Sequence, residues 1–228
     1  MTSIAVLDYG MGNLRSVEKA LQHVGAQAEL TSDRSRAEAA DGLVLPGVGA
    51  FPKAMTSVRR LGLDALVGSR LEAGVPVLGI CLGMQLLFER SAELGGAEGL
   101  GLLPGTVEPL AAHGLKVPQI GWNPVAWRRP SELSRGLPGP CPFYHVHSFA
   151  PVPFDPDDVL GTADYGGEFV SAVARPPLYG VQFHPEKSGP HGLRLLRNFA
   201  RLCAEGAPGV GRADEASPAL RGAEPREA

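Results

Sequence analysis

Hydrophobic positions along the first part of the chain alternate between two spacings, one typical of buried strands and one typical of helices. The apolar run SIAVLD is followed by the turn-rich segment YGMGN, after which Leu14, Val17 and Leu21 recur at helical spacing. The segments QAELT, GLVLP and VPVLGI predict further strands, and ranges 52–60 and 63–73 predict helices. Strands that alternate with helices predict a mostly parallel central sheet with helices on both faces.

Between about residues 101 and 174 the pattern changes to short apolar runs broken by Pro and Gly, such as GTVEPL, KVPQIGW, FYHVHSF and FVSAVA. These runs predict a smaller antiparallel or mixed sheet region beside the first sheet. The alternation returns with LYGVQF, then HPEKSG and a last helix with an apolar stripe. We therefore predict one three-layer α/β domain over residues 1–205. The composition of residues 206–228, rich in Gly, Ala, Pro and charge, predicts a disordered tail.

Composition and charge narrow the classes of function. The chain has 228 residues, 44% of them hydrophobic, and a formal net charge of -3 with no block of like charges. Neither a nucleic-acid-binding surface nor a polybasic membrane patch is indicated. No signal segment and no run of ~18 apolar residues occurs, so we expect a soluble, cytoplasmic protein. The three cysteines are far apart, which favours neither a disulfide framework nor a metal site, and no cofactor is expected.

The segment LGICLGMQ places Cys81 between Gly79 and Gly83, at the end of a predicted strand and before the predicted helix LGMQLLFER. This is the thiol form of the Gly-x-Ser-x-Gly turn that exposes a nucleophile. A helix N-terminus there favours a thiolate, and the N–H of Leu82 is available to an oxyanion. The alternative is a buried structural cysteine. Cys141 and Cys203 lack this context and are predicted to be structural.

A nucleophilic cysteine needs a general base and a group that orients it. In YGVQFHPE, His184 follows an apolar strand, and Pro185 favours an extended chain that places Glu186 on the same side. These residues predict a Cys-His-Glu triad. His145 and His147, which alternate on one face of FYHVHSF, compete for the role of base. The alternative for both is a half-buried strand histidine bound to backbone groups.

Two glycine-containing turns follow other predicted strands. In LPGVGAF, Gly47 and Gly49 flank Val48 and allow backbone N–H groups to approach a ligand. A Pro-Gly turn alone is weak evidence, but this one is predicted at the same sheet edge as Cys81. The turn YGMGN lacks the full glycine fingerprint of a dinucleotide site, so we do not predict one.

With GICLGMQ, LPGVGAF and GVQFHPEKS in one chain and in this order, the sequence resembles the class I (triad) glutamine amidotransferases. The segments YGMGNLRSV, VPQIGWN and HPEKS are similar to the branch that serves as glutaminase subunit in imidazole glycerol phosphate synthesis. The resemblance runs over about residues 4–203. It implies hydrolysis of glutamine to glutamate and ammonia, with Cys81 as nucleophile, His184 as acid and base, and Glu186 as its orienting partner.

The resemblance also implies an oxyanion site and a substrate site. The residues concerned are Val48, Gly49, Leu82, Gln85, His147, Ser148 and Phe149. A reversible flip of the Val48–Gly49 peptide is a hypothesis for switching the activity, because loss of one oxyanion donor typically lowers turnover by ~10² to 10³.

No segment of this chain is predicted to use the ammonia. The resemblance implies a (β/α)₈ cyclase subunit as partner in a heterodimer, which receives the ammonia through a channel and makes imidazole glycerol phosphate and AICAR for histidine biosynthesis. It places Asn13, Trp122 and Lys187 at the interface; the alternatives are a helix-capping asparagine, a core tryptophan and a solvated lysine. Gln119 stands where the family pattern has histidine, and the order of aromatic residues around His145 and Phe149 also departs from it.

Two alternatives remain at the level of the sequence. A sister amidotransferase would have the same triad and another acceptor, as in the vitamin B6 or para-aminobenzoate subunits. A non-catalytic domain of the same fold would act only as a binding or regulatory partner. Rapid, glutamine-protected alkylation of Cys81 would indicate an enzyme, whereas an inert thiol would indicate a scaffold.

Overall fold

A computed structural model describes residues 1–12 and 14–206. The helices are α1 (Leu14–His23), α2 (Arg34–Ala39), α3 (Phe51–Arg60), α4 (Leu63–Glu72), α5 (Leu82–Leu86) and α6 (Gly189–Glu205). The strands are β1 (Ser3–Leu7), β2 (Gln27–Thr31), β3 (Gly42–Gly47), β4 (Val77–Cys81), β5 (Phe88–Ser91), β6 (Ala97–Glu98), β7 (Leu103–Pro109), β8 (Gln119–Trp127), β9 (Cys141–His147), β10 (Phe149–Pro153), β11 (Val159–Asp164), β12 (Glu168–Arg175) and β13 (Leu178–Val181).

Nine strands form the central sheet, in the order β2-β1-β3-β4-β13-β12-β11-β8-β9. The first five are parallel to one another, and the other four continue the sheet in antiparallel pairs. A second sheet has the order β10-β7-β5-β6. The predicted fold class is confirmed. The region 101–174 is divided between the two sheets, since β8, β9, β11 and β12 extend the central one.

Alternate side chains of the parallel strands supply two separate cores. In β1, Ile4 and Val6 pack into one core, and Ala5 and Leu7 pack into the other. Helices α1 and α6 cover the first face, whereas α2, α3 and α4 cover the second. A strand that is buried on both faces reads as a continuous apolar run, which is why the sequence pattern located these strands.

The helix predicted over LGMQLLFER is shorter than the pattern suggested. It ends at Leu86, and Phe88–Ser91 is strand β5. Phe88 is fully buried, and its strand pairs in parallel with β7. The tertiary pairing therefore overrides a segment whose composition favours a helix.

The predicted tail lies almost entirely outside the described residues. Residues 207–228 are not described, so both the tail and the domain boundary stay predictions. In the part of the chain that is described, no helix is long and apolar enough to cross a membrane.

Candidate active site

The register of the central sheet brings three sequence-distant segments to one edge. In β3 and β4, Gly47 pairs with Cys81, and in β13 and β4, Val181 pairs with Ile80. Gln182, the next residue, therefore stands beside Cys81. These are the carboxyl ends of three adjacent parallel strands, where ligands bind in open α/β sheets.

The turn at Cys81 is strained and tightly packed. Cys81 has φ 54° and ψ -112°, a conformation that a non-glycine residue rarely adopts and that is often stored at functional sites. A Cβ at Gly83 would lie 1.7 Å from the carbonyl oxygen of Leu45, and one at Gly79 would lie 2.7 Å from that of Gly83. The two glycines are thus required by close backbone contact, while the positive φ falls on the cysteine itself.

His184 and Glu186 form a buried pair beside Cys81. The imidazole Nδ1 lies 3.0 Å from Oε1 of Glu186, and both side chains are at least nine-tenths buried. His184 is extended before Pro185, as predicted, but residues 185–187 form a 3₁₀ turn, so the expected extended chain through Glu186 was wrong. This turn, rather than strand alternation, brings the carboxylate to the imidazole. The Ser188 hydroxyl fixes it by donating to the His184 carbonyl at 2.6 Å.

The surroundings of His184 favour its protonated form. Burial lowers the pKa of the imidazole, but hydrogen bonds to the Cys81 sulfur and to Glu186, with their charges, outweigh burial and raise the pKa to about 10. With Nδ1 held by Glu186, the other ring nitrogen, Nε2, remains for the sulfur. The arrangement therefore favours a protonated His184 imidazole at neutral pH.

The competing histidines lie in a different environment. His145 binds the Phe143 carbonyl at 3.1 Å and the Ser171 hydroxyl at 2.8 Å, and burial lowers its pKa to about 3. His147 binds the Phe149 carbonyl at 2.9 Å and the Gln119 side chain at 2.8 Å, and burial lowers its pKa to about 4. Both are buried strand histidines with satisfied ring nitrogens, and His147 also borders the pocket beside Cys81.

A cavity of about 220 Å³ opens beside the Cys81 sulfur. It is lined by all seven residues predicted for the oxyanion and substrate sites, namely Val48, Gly49, Leu82, Gln85, His147, Ser148 and Phe149. Its size suits a free amino acid. A larger groove of 760 Å³ is lined by residues between Trp127 and Gly139 and contains none of the triad. The smaller cavity, which borders Cys81, is therefore the candidate substrate site.

Two polar residues at the site were missed by the sequence analysis. Gln182 is fully buried, and its Nε2 lies 3.7 Å from the Cys81 sulfur, while its Oε1 accepts from Gln85 at 3.1 Å. A polar residue inside the apolar run LYGVQF, two positions before His184, was the available signal. Glu93 is the acidic residue among those lining the cavity, and its Oε2 accepts from the backbone N–H of Phe51. No sequence pattern connected Glu93 to Cys81.

Two of the three residues predicted for a partner interface lie at the surface, and the interface itself stays a prediction. Trp122 is 54% exposed, and its ring packs edge-on against Tyr144, so it is not a core tryptophan. Lys187 is exposed. Asn13 lies outside the described residues. Within the described ranges, no group of three or more His, Cys, Asp or Glu side chains is arranged to hold a metal ion.

A strained cysteine turn and a buried His-Glu pair at the edge of a parallel sheet are the arrangement of a thiol-dependent acyl-transfer hydrolase. The model of the family Glutamine amidotransferase class-I matches residues 5–203. The chain belongs to this family of glutamine-hydrolysing enzymes, which confirms the resemblance.

Individual relatives narrow the comparison. A protein of Moorella thermoacetica, named imidazole glycerol phosphate synthase subunit HisH, is 52% identical over 202 residues, covering 89% of this chain and 96% of that protein. Its namesake in Symbiobacterium thermophilum is 49% identical over 205 residues, covering 90% and 96%. The structure of PurLQS from Thermotoga maritima aligns with a TM-score of 0.71 at 18% identity, covering 88% of this chain and 98% of that one. The last likeness shows the shared fold.

Proposed function

We propose that the chain is the glutaminase subunit of an imidazole glycerol phosphate synthase. It hydrolyses glutamine and passes the ammonia to a cyclase subunit that forms imidazole glycerol phosphate and AICAR in histidine biosynthesis. The observation that carries the proposal is the Cys81, His184 and Glu186 assembly beside a cavity of amino-acid size. The HisH names of relatives at about half identity support the choice of acceptor.

Cys81 is the nucleophile. Its thiolate attacks the side-chain amide carbon of glutamine and forms a tetrahedral intermediate. His184, protonated at Nε2, gives its proton to the leaving nitrogen, so that ammonia departs and a thioester forms. Water then attacks the thioester with His184 as general base, which releases glutamate and restores the thiolate. Glu186 keeps the imidazole oriented through Nδ1 and stabilises its positive charge.

The oxyanion is held by backbone N–H groups. Leu82 and Gly49 line the cavity beside the sulfur, and their backbone N–H groups are the proposed donors. Donors placed where charge develops are worth about 10²- to 10³-fold in turnover each. Gly49 has φ +112°, and a glycine can adopt both this conformation and the one on the other side of a flip between silent and active orientations. We therefore retain the flip as the switch.

Substrate orientation follows from charge and hydrogen bonding. Gln85 is held in place because its Nε2 donates to the Phe149 carbonyl at 3.0 Å and to Gln182 at 3.1 Å. Glu93 lines the cavity, and its carboxylate is the proposed partner of the substrate's ammonium group. His147 lines the pocket, and its lowered pKa keeps its imidazole uncharged at physiological pH. Ser148 and Phe149 supply the remaining contacts.

A partner is required because free ammonia would become ammonium. At neutral pH amines are mostly protonated, and ammonium is no nucleophile, so direct transfer protects the product. Ile120 and Trp122 lie on one face of β8 and are 62% and 54% exposed. Large apolar side chains exposed together are typical of a protein interface. This face of β8, with Lys187 and Asn13, forms the proposed contact with the (β/α)₈ cyclase subunit.

The test is glutamate release from glutamine by the purified chain, alone and then with the cyclase subunit and its nucleotide ligand, with Cys81→Ala as control. A large rise on adding both, absent in the variant, is expected. If glutaminase activity rises instead with the synthase partner of a sister amidotransferase, the ammonia acceptor proposed here is wrong and that of the sister enzyme takes its place. An inert Cys81 under all conditions would leave a non-catalytic domain.

A further inference from the structure

The turn after the first strand, YGMG at residues 9–12, is not used by the proposed mechanism. We propose that this first-strand loop positions the oxyanion segment, residues 46–49, and that the Tyr9 hydroxyl is the group that fixes it. The inference rests on the proposed function, because it assigns a role in the same site. Tyr9 does not touch the substrate cavity, so it is a positioning residue.

Tyr9 anchors the start of the oxyanion segment. Its side chain is 2% exposed, and its hydroxyl donates to the Pro46 carbonyl at 2.6 Å. A Cβ at Gly47 would lie 2.2 Å from the same hydroxyl, so the ring fills the space directly beneath the segment. Burial and the nearby Cys81 raise the pKa of Tyr9, which keeps the phenol protonated and therefore a donor.

The other end of the oxyanion segment rests on the same loop. A Cβ at Gly12 would lie 2.9 Å from Cγ2 of Val48 and 3.2 Å from its backbone nitrogen. A Cβ at Gly49 would lie 2.9 Å from Cε of Met11. The Val48 side chain and the Gly49 backbone thus pack directly on the first-strand loop, with no room for an added methyl group between them.

These contacts restrain the peptides that carry the oxyanion donors. The Pro46 carbonyl is fixed by a hydrogen bond, and the Val48 side chain and the Gly49 backbone pack on the loop. The ends of the Val48–Gly49 peptide are thus held in place, so that its N–H turns between defined orientations in the proposed flip. Loss of the hydroxyl leaves a buried carbonyl without its donor and frees the Pro46–Gly47 peptide. The orientation of the Val48–Gly49 N–H then becomes less well defined, although the triad itself is unchanged.

The first experiment compares Tyr9→Phe with Tyr179→Phe. Tyr179 is also buried, at the amino-terminal end of β13 against Phe199, and serves as the matched control. Glutamine hydrolysis is measured in the complex with the cyclase subunit and its nucleotide, well below the unfolding temperature. Tyr9→Phe is expected to lower kcat about tenfold with KM within twofold, as for one lost buried hydrogen bond. Tyr179→Phe is expected to leave both constants unchanged.

Alkylation of Cys81 by iodoacetamide separates positioning from general damage. The alkylation needs the thiolate but builds no oxyanion, so its rate should be the same in Tyr9→Phe and wild type. Equal losses in kcat and in alkylation would mean that Tyr9 acts through the triad or the fold, and would overturn the inference. Unchanged kcat in Tyr9→Phe would overturn it as well.

A double-mutant cycle tests the second contact. Gly12→Ala places a methyl group against Val48 and is expected to lower kcat by more than tenfold, in part through its positive φ of 100°. Val48→Ala removes the opposing Cγ2, so the double variant should recover at least fivefold relative to Gly12→Ala. Additive losses would show that Gly12 and Val48 are not coupled. A wild-type complex without glutaminase activity would instead refute the proposed function.

Discussion

His184 and His145 are both buried in the same α/β domain, yet their environments act on them in opposite ways. Burial lowers the pKa of each, but His184 faces Glu186 and the Cys81 sulfur, whereas His145 faces a backbone carbonyl and a hydroxyl. The pKa is about 10 for the first and about 3 for the second. Charged partners, rather than depth, decide which buried histidine can carry a proton into a reaction.

The contrast also explains why the sequence could not exclude the two histidines of FYHVHSF as the catalytic base. An alternating strand places His145 and His147 on one face, as a catalytic pair would be placed. Both nitrogens of each ring instead bind neutral groups, which favour the uncharged imidazole. The difference lies in what the neighbouring strands and turns bring to the ring.

The largest expected effect comes from replacing His184, the histidine with charged partners. His184→Gln should lower kcat for glutamine hydrolysis by about 10⁴-fold or more, because both the acid and the base are removed. His145→Gln, the matched control, should keep kcat within a few-fold per folded molecule and should instead lower stability. Steady-state kinetics with urea titrations check both. Equal kinetic losses in the two variants would contradict the assignment of the base.

The next effect concerns the carboxylate. Glu186→Gln keeps the shape of the side chain but removes the charge that raises the pKa of His184. We expect kcat to fall about 10²- to 10⁴-fold, as when the orienting acid of a triad is replaced by its amide. The pKa of His184, followed by NMR of the labelled imidazole, should fall as well. A variant with unchanged kcat would show that Glu186 is structural only.

The pH dependence of stability should have opposite signs at the two sites. For His184 the folded pKa, about 10, is above the ordinary 6.5, so its stabilisation is complete below pH 6.5 and is lost as pH rises through 10. For His145 the folded pKa, about 3, is below 6.5, so stabilisation is present above pH 6.5 and is lost as pH falls toward 3.

Chemical denaturation of wild type and His145→Gln at pH 5, 6 and 7 measures the second case. The difference in free energy of unfolding should shrink by roughly 2 kcal/mol between pH 7 and 5, because only the wild type loses this contribution. The wild-type advantage over His184→Gln should shrink in the other direction, between pH 7 and 9. A difference that is flat with pH would mean that His145 titrates normally when folded.

The smallest expected effect concerns Gln182, which lies beside the Cys81 sulfur, and the reactivity of that sulfur. Gln182→Leu removes the amide that lies 3.7 Å from the Cys81 sulfur. We expect the alkylation rate of Cys81 at pH 7 to fall about fivefold, which corresponds to one modest hydrogen bond to a thiolate. Gln119→Leu is the control, since Gln119 is equally buried but binds His147. Similar losses in both variants would indicate a general packing effect.

Much of the fold could be predicted because its signals are local. Apolar runs located β1 to β4, and glycines on both sides of Cys81 marked its turn. Strand β5 was missed because Phe88 is held by pairing with β7, which lies in a later segment. The pairing of His184 with Glu186 was expected, but for another reason, since a 3₁₀ turn and not an extended chain creates it.

The sequence by itself determined the parallel α/β architecture, the glycine-flanked turn at Cys81 and the choice of His184 and Glu186 as its partners. These depend on spacings of a few residues, which dihedral preferences and burial patterns fix directly. Only the tertiary structure decided that Gln182 lies beside the sulfur, that Tyr9 fixes Pro46, and that His145 is neutral while His184 is charged. Tyr9 and Pro46, Gln182 and Cys81, and His145 and Ser171 are each tens of positions apart. Their contacts follow from sheet register and packing, which no local pattern encodes.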